Sequence, residues 1–213
     1  MKGLEARMKE SASDYSRFYH PQHKRHVVKV MPGGVYITQE HEIICTGLGS
    51  CIAACMWDAE RQVGGMNHFM LPFDDKYDLE HWHATEIVST ASRYGNYAME
   101  MLINQLLSAG ASRDRLQLKL FGGAQMMGKT ALIGDKNIEF ARSFVETEHF
   151  PLVAQDLGGM DPRKVMFDPL TGQAWVKRIR FADVEKVKRR EAEYQQQLDK
   201  ESHAPHEDDV ELF

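Results

Sequence analysis

The 213-residue chain has only three cysteines and seven prolines, only a small surplus of negative charge and no long apolar run. Nowhere does it approach the roughly 18 uninterrupted apolar residues of a membrane-spanning helix. Its opening, MKGLEARMKESASDYSRFYH, lacks the apolar core of an export signal. The expectation is a cytoplasmic protein without membrane insertion. With 26 basic against 31 acidic residues, a net charge of −5 and a pI near 6.1, electrostatics give no reason to expect nucleic acid as the partner. The cysteines, Cys45, Cys51 and Cys55, are odd in number and contain no C-x-x-C pair, which argues against a disulfide framework and for reduced thiols. Zinc is disfavoured too. On a strand Cys51 and Cys55 share a face but stand about 13 Å apart, and His81 and His83 offer no complementary spacing. No metal and no organic cofactor is expected.

What is present, 43% hydrophobic and 27% charged side chains, suits one globular domain with a tail. Residues 1–25 are polar and irregular and read as a loose arm. HVVKVMPGGVYITQ, from His26, carries β-branched residues broken at Pro32-Gly33-Gly34, suggesting strand, turn and strand. EIICTGLGSC ends an apolar run in a glycine bend, and IAACMWD and VGGMNHFML flank AERQ as a hairpin. A helix is expected over roughly Thr85 to Ala109, where Ala98, Met101, Leu102, Gln105, Leu106 and Ala109 repeat at helical spacing before Gly110. LQLKLF alternates as a strand and GDKNIEFARSFVETEH is a weaker helix. FPLVAQD, RKVMF and AWVKRI supply three more strands. Without strict βαβ alternation the fold class is α+β with mixed or antiparallel sheets. Residues 182–213 read as a charged, solvated helix followed by an acidic disordered tail ending in Val210, Leu212 and Phe213.

Two motifs invite chemistry. TGLGSC places Cys51 behind a glycine bend, and GGMNHF places His68 on the partner strand of the expected hairpin. A tight two-residue turn after Asp58 sets Cys51 directly across from His68, and a loop longer by one still leaves them neighbours. A thiol needs such a base, because free cysteine near pKa ~8.5 is mostly protonated at neutral pH. The glycines let backbone N–H groups converge on a substrate oxyanion, worth about 3 kcal/mol per donor. Spacing alone favours a buried cysteine and a core-packed histidine. The second motif, Gly123 to Thr130 (GAQMMGKT), fits G-x-x-x-x-G-K-[ST] and follows a strand. Its context fails: Gly134 and Asp135 interrupt the helix that should follow, and no later strand ends in a magnesium-binding aspartate.

TGLGSCIAACMWD followed by GGMNHFMLP strongly resembles the CheD family of bacterial chemoreceptor glutamine deamidases. VKVMPGGVYIT, RYGNYAMEMLINQLL, LKLFGGAQMM, DLGG and RKVMFDPLTGQAWVKRI resemble its further blocks in order, from about His26 to Ile179, so residues 26–181 form the implied deamidase domain. By this resemblance the fold is an α/β sandwich of mixed sheets flanked by helices, similar to toxin-type cysteine glutamine deamidases. The implied activity converts glutamines of methyl-accepting chemotaxis receptors to glutamate by thioester chemistry. Cys51 falls on the nucleophile and His68 on the general base. The family's third catalytic residue is a threonine, and at its offset stands Cys45, with Thr46 one place on; the position stays open between them. Receptors are the implied substrate, presenting glutamine on a helix to an open groove, and a CheC-type phosphatase is a partner in some bacteria. The alternatives are a non-catalytic chemotaxis adaptor and a nucleotide-binding protein built on Lys129.

Overall fold

The computed structural model describes residues 15–72, 90–125, 131–179 and 181–202, and its ten strands form two five-stranded sheets. The first sheet contains β1 (Ser16–His20), β2 (Arg25–Lys29), β4 (Ile43–Leu48), β9 (Arg163–Phe167) and β10 (Ala174–Arg178), in the order β1-β2-β4-β9-β10. The second contains β3 (Val35–Thr38), β5 (Ile52–Asp58), β6 (Val63–Asn67), β7 (Gln117–Gly122) and β8 (Leu152–Leu157), in the order β3-β6-β5-β7-β8. Both sheets are mixed: β2 runs parallel to β4 and β7 parallel to β8, with the other pairings antiparallel. The helices are α1 (Thr90–Ser108), α2 (Ala131–Thr147) and α3 (Phe181–Ser202). This is the expected α+β architecture.

Side-chain alternation assigns each strand residue to a layer. In β5, Ala53, Cys55 and Trp57 face the core between the sheets, with Val28, Ile44, Leu48, Val165 and Phe167 of the opposite sheet. Ile52, Ala54 and Met56 face the other way, into a second core with Ala98, Met99, Leu102 and Leu106 of α1 and Ala141, Phe144 and Val145 of α2. Burying a side chain of this size contributes about 1.5–3 kcal/mol, so both faces of β5 are committed and its register cannot slip.

Three local readings differ. Ser16–His20 is not loose but pairs antiparallel with Arg25–Lys29; its largely exposed side chains hide it from a hydrophobicity pattern. The strand, turn and strand around Pro32-Gly33-Gly34 are present as expected, and the turn carries the chain from one sheet to the other. The hairpin loop Ala59–Gln62 has four residues, the Asp58 carboxylate accepting from the N–H groups of Glu60 and Arg61 (both 3.1 Å). Helix α2 begins at Ala131 and runs through Gly134 and Asp135. At Gly134 a Cβ would stand 2.7 Å from the Ala124 carbonyl oxygen, so glycine there permits close packing rather than breaking the helix. The start of the α1 expectation, before Thr90, lies outside the described residues.

Candidate active site

The glycine bend is the crossover between the two sheets. Strand β4 ends at Leu48, the chain turns through Gly49, Ser50 and Cys51, and β5 begins at Ile52. All three bend carbonyls are tied on one side. Gly49 O accepts from Ala124 N–H (2.7 Å), Cys51 O from Gly123 N–H (2.8 Å) and Ser50 O from Asn137 Nδ2 (2.8 Å). Gly122 lies against this turn at φ +115°, where any Cβ would overlap the Cys51 carbonyl. With the carbonyls fixed, the N–H groups of Gly49, Ser50 and Cys51 converge on the opposite side.

His68 follows β6 and is clamped by the Pro32-Gly33-Gly34 corner. Its N–H donates to Gly34 O (3.0 Å) and its carbonyl accepts from Gly33 N–H (2.7 Å). The hairpin register pairs Asp58 with Val63 and, at an isolated bridge, Ile52 with Phe69. His68 therefore lies opposite Ala53, and Cys51 is its diagonal neighbour on the inter-sheet face rather than its direct partner.

Across that core, Thr46 of β4 reaches His68. Thr46 Oγ1 lies 2.9 Å from Val30 O and 2.7 Å from His68 Nδ1. A hydroxyl has one proton, and the Val30 carbonyl can only accept, so Thr46 donates to it and accepts from Nδ1–H. The imidazole is thereby held in the tautomer whose Nε2 carries a lone pair, and Nε2 has no hydrogen-bond partner among the described residues. Alternation along β4 puts Cys45 and Thr46 on opposite faces. Thr46 points inward, whereas Cys45 faces outward into a small cluster with Val27 and Ile43.

Glu191 of α3 completes the constellation. Its carboxylate accepts from the N–H groups of Gly49 (2.7 Å), Ser50 (2.8 Å) and Cys51 (3.2 Å) and from Ser50 Oγ (2.8 Å). A Cβ on Gly49 would stand 2.7 Å from a Glu191 oxygen, so the approach requires glycine. One donor atom each from Cys51, His68 and Glu191 lie within 4.8 Å of one another. The sulfur, nitrogen and oxygen are metal-ligand types, but metal binding would have to draw the Glu191 oxygens away from four hydrogen bonds.

The groove expected to lie open around Cys51 is covered: Cys51, His68 and Glu191 are 0%, 1% and 6% exposed. Burial pushes the Cys51 thiol well above its ordinary range, reinforced by the adjacent Glu191 charge and its hydrogen bond. Burial, with a smaller contribution from Lys29, pushes the His68 imidazole down to about 3. In this arrangement the pair is a neutral thiol beside a neutral imidazole.

The sequence-predicted pair thus comes together and acquires Thr46. Cys55, four residues further along β5, is buried with its thiol raised by desolvation. Of the phosphate-loop string, Gly123 and Ala124 have their N–H groups committed to the Cys51 bend; Lys129, like His81 and His83, lies outside the described residues. Sequence reading missed Asn137 and Glu191. The signal for Glu191 was legible as Val187, Glu191, Tyr194 and Leu198, a buried stripe at helical spacing in a segment otherwise polar.

A two-sheet α+β sandwich with a buried Cys–His–Thr constellation at a glycine crossover has the parts of a thiol-dependent acyl-transfer enzyme. The chain belongs to the CheD family. The family model "CheD chemotactic sensory transduction" matches residues 70–178. The chain is 57% identical over 199 residues to "Probable chemoreceptor glutamine deamidase CheD" of Vibrio vulnificus (strain CMCP6), covering 93% of this chain and 92% of that protein. Proteins of the same name in Vibrio cholerae serotype O1 (strain M66-2) and Halorhodospira halophila are 56% and 44% identical over 97% and 93% of this chain and 88% and 89% of theirs.

Proposed function

We propose that the chain is a protein-glutamine deamidase that converts glutamines of methyl-accepting chemotaxis receptors to glutamate, with Cys51 as nucleophile, His68 as general base and acid, and Thr46 as the residue that orients His68. The observation that carries this reading is the Thr46–His68 hydrogen bond, which fixes the basic lone pair on Nε2 close to the one cysteine that adjoins convergent N–H donors.

In the reaction His68 Nε2 takes the Cys51 proton and the thiolate sulfur bonds to the glutamine amide carbon. The oxyanion binds at the N–H groups of Gly49, Ser50 and Cys51. His68 returns its proton to the leaving nitrogen, the C–N bond breaks and ammonia departs. Water, deprotonated by His68, then adds to the thioester. Expulsion of the sulfur, reprotonated from His68, leaves glutamate and the restored thiol. The steps balance without an external cofactor. The names of the relatives support the receptor as substrate, and the family supports a cytoplasmic site of action, where receptor glutamines meet the signalling machinery. Among the described residues no helix is long and apolar enough to cross a membrane.

Ammonia release from a purified receptor cytoplasmic fragment tests the assignment. Cys51→Ala and His68→Ala should each abolish it, whereas Cys55→Ala should retain most of it. Equal loss with Cys55→Ala would refute the choice of nucleophile, and full activity of Cys51→Ala would favour the non-catalytic adaptor.

A further inference from the structure

Helix α3 is polar on most of its surface, yet it buries Val187, Glu191, Tyr194 and Leu198 along one stripe. Tyr194 and Leu198 join the inter-sheet core that contains Cys51. The Tyr194 hydroxyl is hydrogen-bonded to that of Tyr94 in α1, and its ring lies where a Cβ on Gly33 would be only 3.0 Å away. A carboxylate within such a stripe is costly to bury unless its acceptors are filled. Glu191 fills them with the bend N–H groups that the mechanism reserves for the oxyanion, and the unpartnered His68 Nε2 lies in the same buried cluster.

The chemistry of this contact is that of a product complex. Deamidation of a helix-borne glutamine leaves a glutamate on a helix, with a carboxylate oxygen where the oxyanion was. Glu191 has that side-chain length, that secondary structure and those partners. We infer that α3 occupies the substrate groove as a built-in product mimic, and that substrate enters as an amphipathic helix which displaces it. The inference rests on the deamidase reading above and adds the control of the site and the apolar anchors on either side of the substrate glutamine. The substrate glutamine takes the place of Glu191, and the positions four before, three after and seven after it take the places of Val187, Tyr194 and Leu198 as apolar anchors. With α3 seated, Cys51 is shut from substrate and its thiol is held protonated by burial and by the Glu191 charge. Displacement removes both constraints at once.

The mimicry can be made to react. In Glu191→Gln the chain presents an amide in its own site. Cys51 sulfur bonds to the amide carbon of the substituted side chain, the C–N bond breaks and ammonia leaves with the thiol proton relayed through His68; water then releases glutamate. Mass spectrometry of the purified variant should find position 191 converted to glutamate, or joined to Cys51 as a thioester with ammonia lost, and neither change when Cys51→Ala is added. Glu191→Ala, which empties the N–H groups and loosens the helix, should raise iodoacetamide labelling of Cys51 at neutral pH by about tenfold or more as access and thiolate fraction increase. It should also speed deamidation of the receptor fragment. An amide left unconverted in Glu191→Gln, or an unchanged labelling rate in Glu191→Ala, in a chain whose unaltered form deamidates the fragment, would overturn the inference and leave the deamidase reading standing. Failure of every form to deamidate the fragment would overturn the reading itself.

Discussion

Thr46 decides what His68 can do. With its only proton on the Val30 carbonyl, the hydroxyl is an acceptor, and it fixes both the tautomer and the plane of the ring. Thr46→Val keeps the shape and removes the acceptor, so deamidation should fall about 10- to 100-fold, less than the roughly 100- to 10,000-fold that a proton-transfer group itself contributes. Thr46→Ser should restore most of the rate, and equal activity of the valine and serine variants would contradict an orienting role. The same ring governs acid stability. An imidazole near 6.5 in the unfolded chain and about 3 in the folded one takes up its proton on unfolding between those values. The stability that His68 contributes is thus complete above about pH 6.5 and lost as pH falls toward 3, at up to about 1.4 kcal/mol per pH unit. Urea unfolding from pH 7 to pH 4 should show this slope reduced in His68→Gln, and an unchanged slope would refute the assignment. At this scale the closeness of Cys51 and His68 was legible from the hairpin between them, whereas spacing alone favoured a merely buried pair and their roles rested on the family resemblance. Thr46 needed the inward or outward sense of β4, and Glu191 comes from the far end of the chain, which no local spacing reaches.

Elements were legible wherever one face is apolar. Strands β4, β5, β6, β7, β9 and β10, and the core stripe of α1, follow alternation or helical spacing. What failed were partners and boundaries. Strand β1 is exposed and carries no pattern, the hairpin loop after Asp58 is longer than a two-residue turn, and Gly134 is a packing contact inside α2. That last point bears on the phosphate-loop string, since a helix does follow it. The argument against nucleotide comes instead from its glycine end, where the N–H groups of Gly123 and Ala124 already hold the carbonyls of the Cys51 bend. Binding phosphate there would release the turn that aims the oxyanion donors. Lys129→Ala should therefore leave deamidation near the unaltered rate, and ATP with magnesium should not raise the melting temperature. A ligand at a hundredfold excess over its Kd stabilises by about 2.7 kcal/mol, so a clear shift would revive the nucleotide-binding alternative.

The whole molecule brings three separate segments to one point: β4 and the sheet crossover that follows it, with Thr46 and Gly49–Cys51, the end of β6 at His68 and α3 at Glu191. Two sheets packed face to face make this possible, because a nucleophile on the crossover and a base on one sheet can be oriented by a hydroxyl on the other. The architecture as two mixed sheets with helices was anticipated from the interleaving of strand and helix patterns. The closure of the site was not, because the charged composition of residues 182–202 concealed a buried face. The central claim is that this constellation turns receptor glutamine into glutamate through Cys51. Peptide mass spectrometry of a receptor cytoplasmic fragment incubated with the full chain tests it most directly. The account predicts the mass increment of amide-to-acid conversion at specific helix-borne glutamines, and its complete absence with Cys51→Ala; a fragment left unchanged by the unaltered chain, or converted equally by Cys51→Ala, would contradict it.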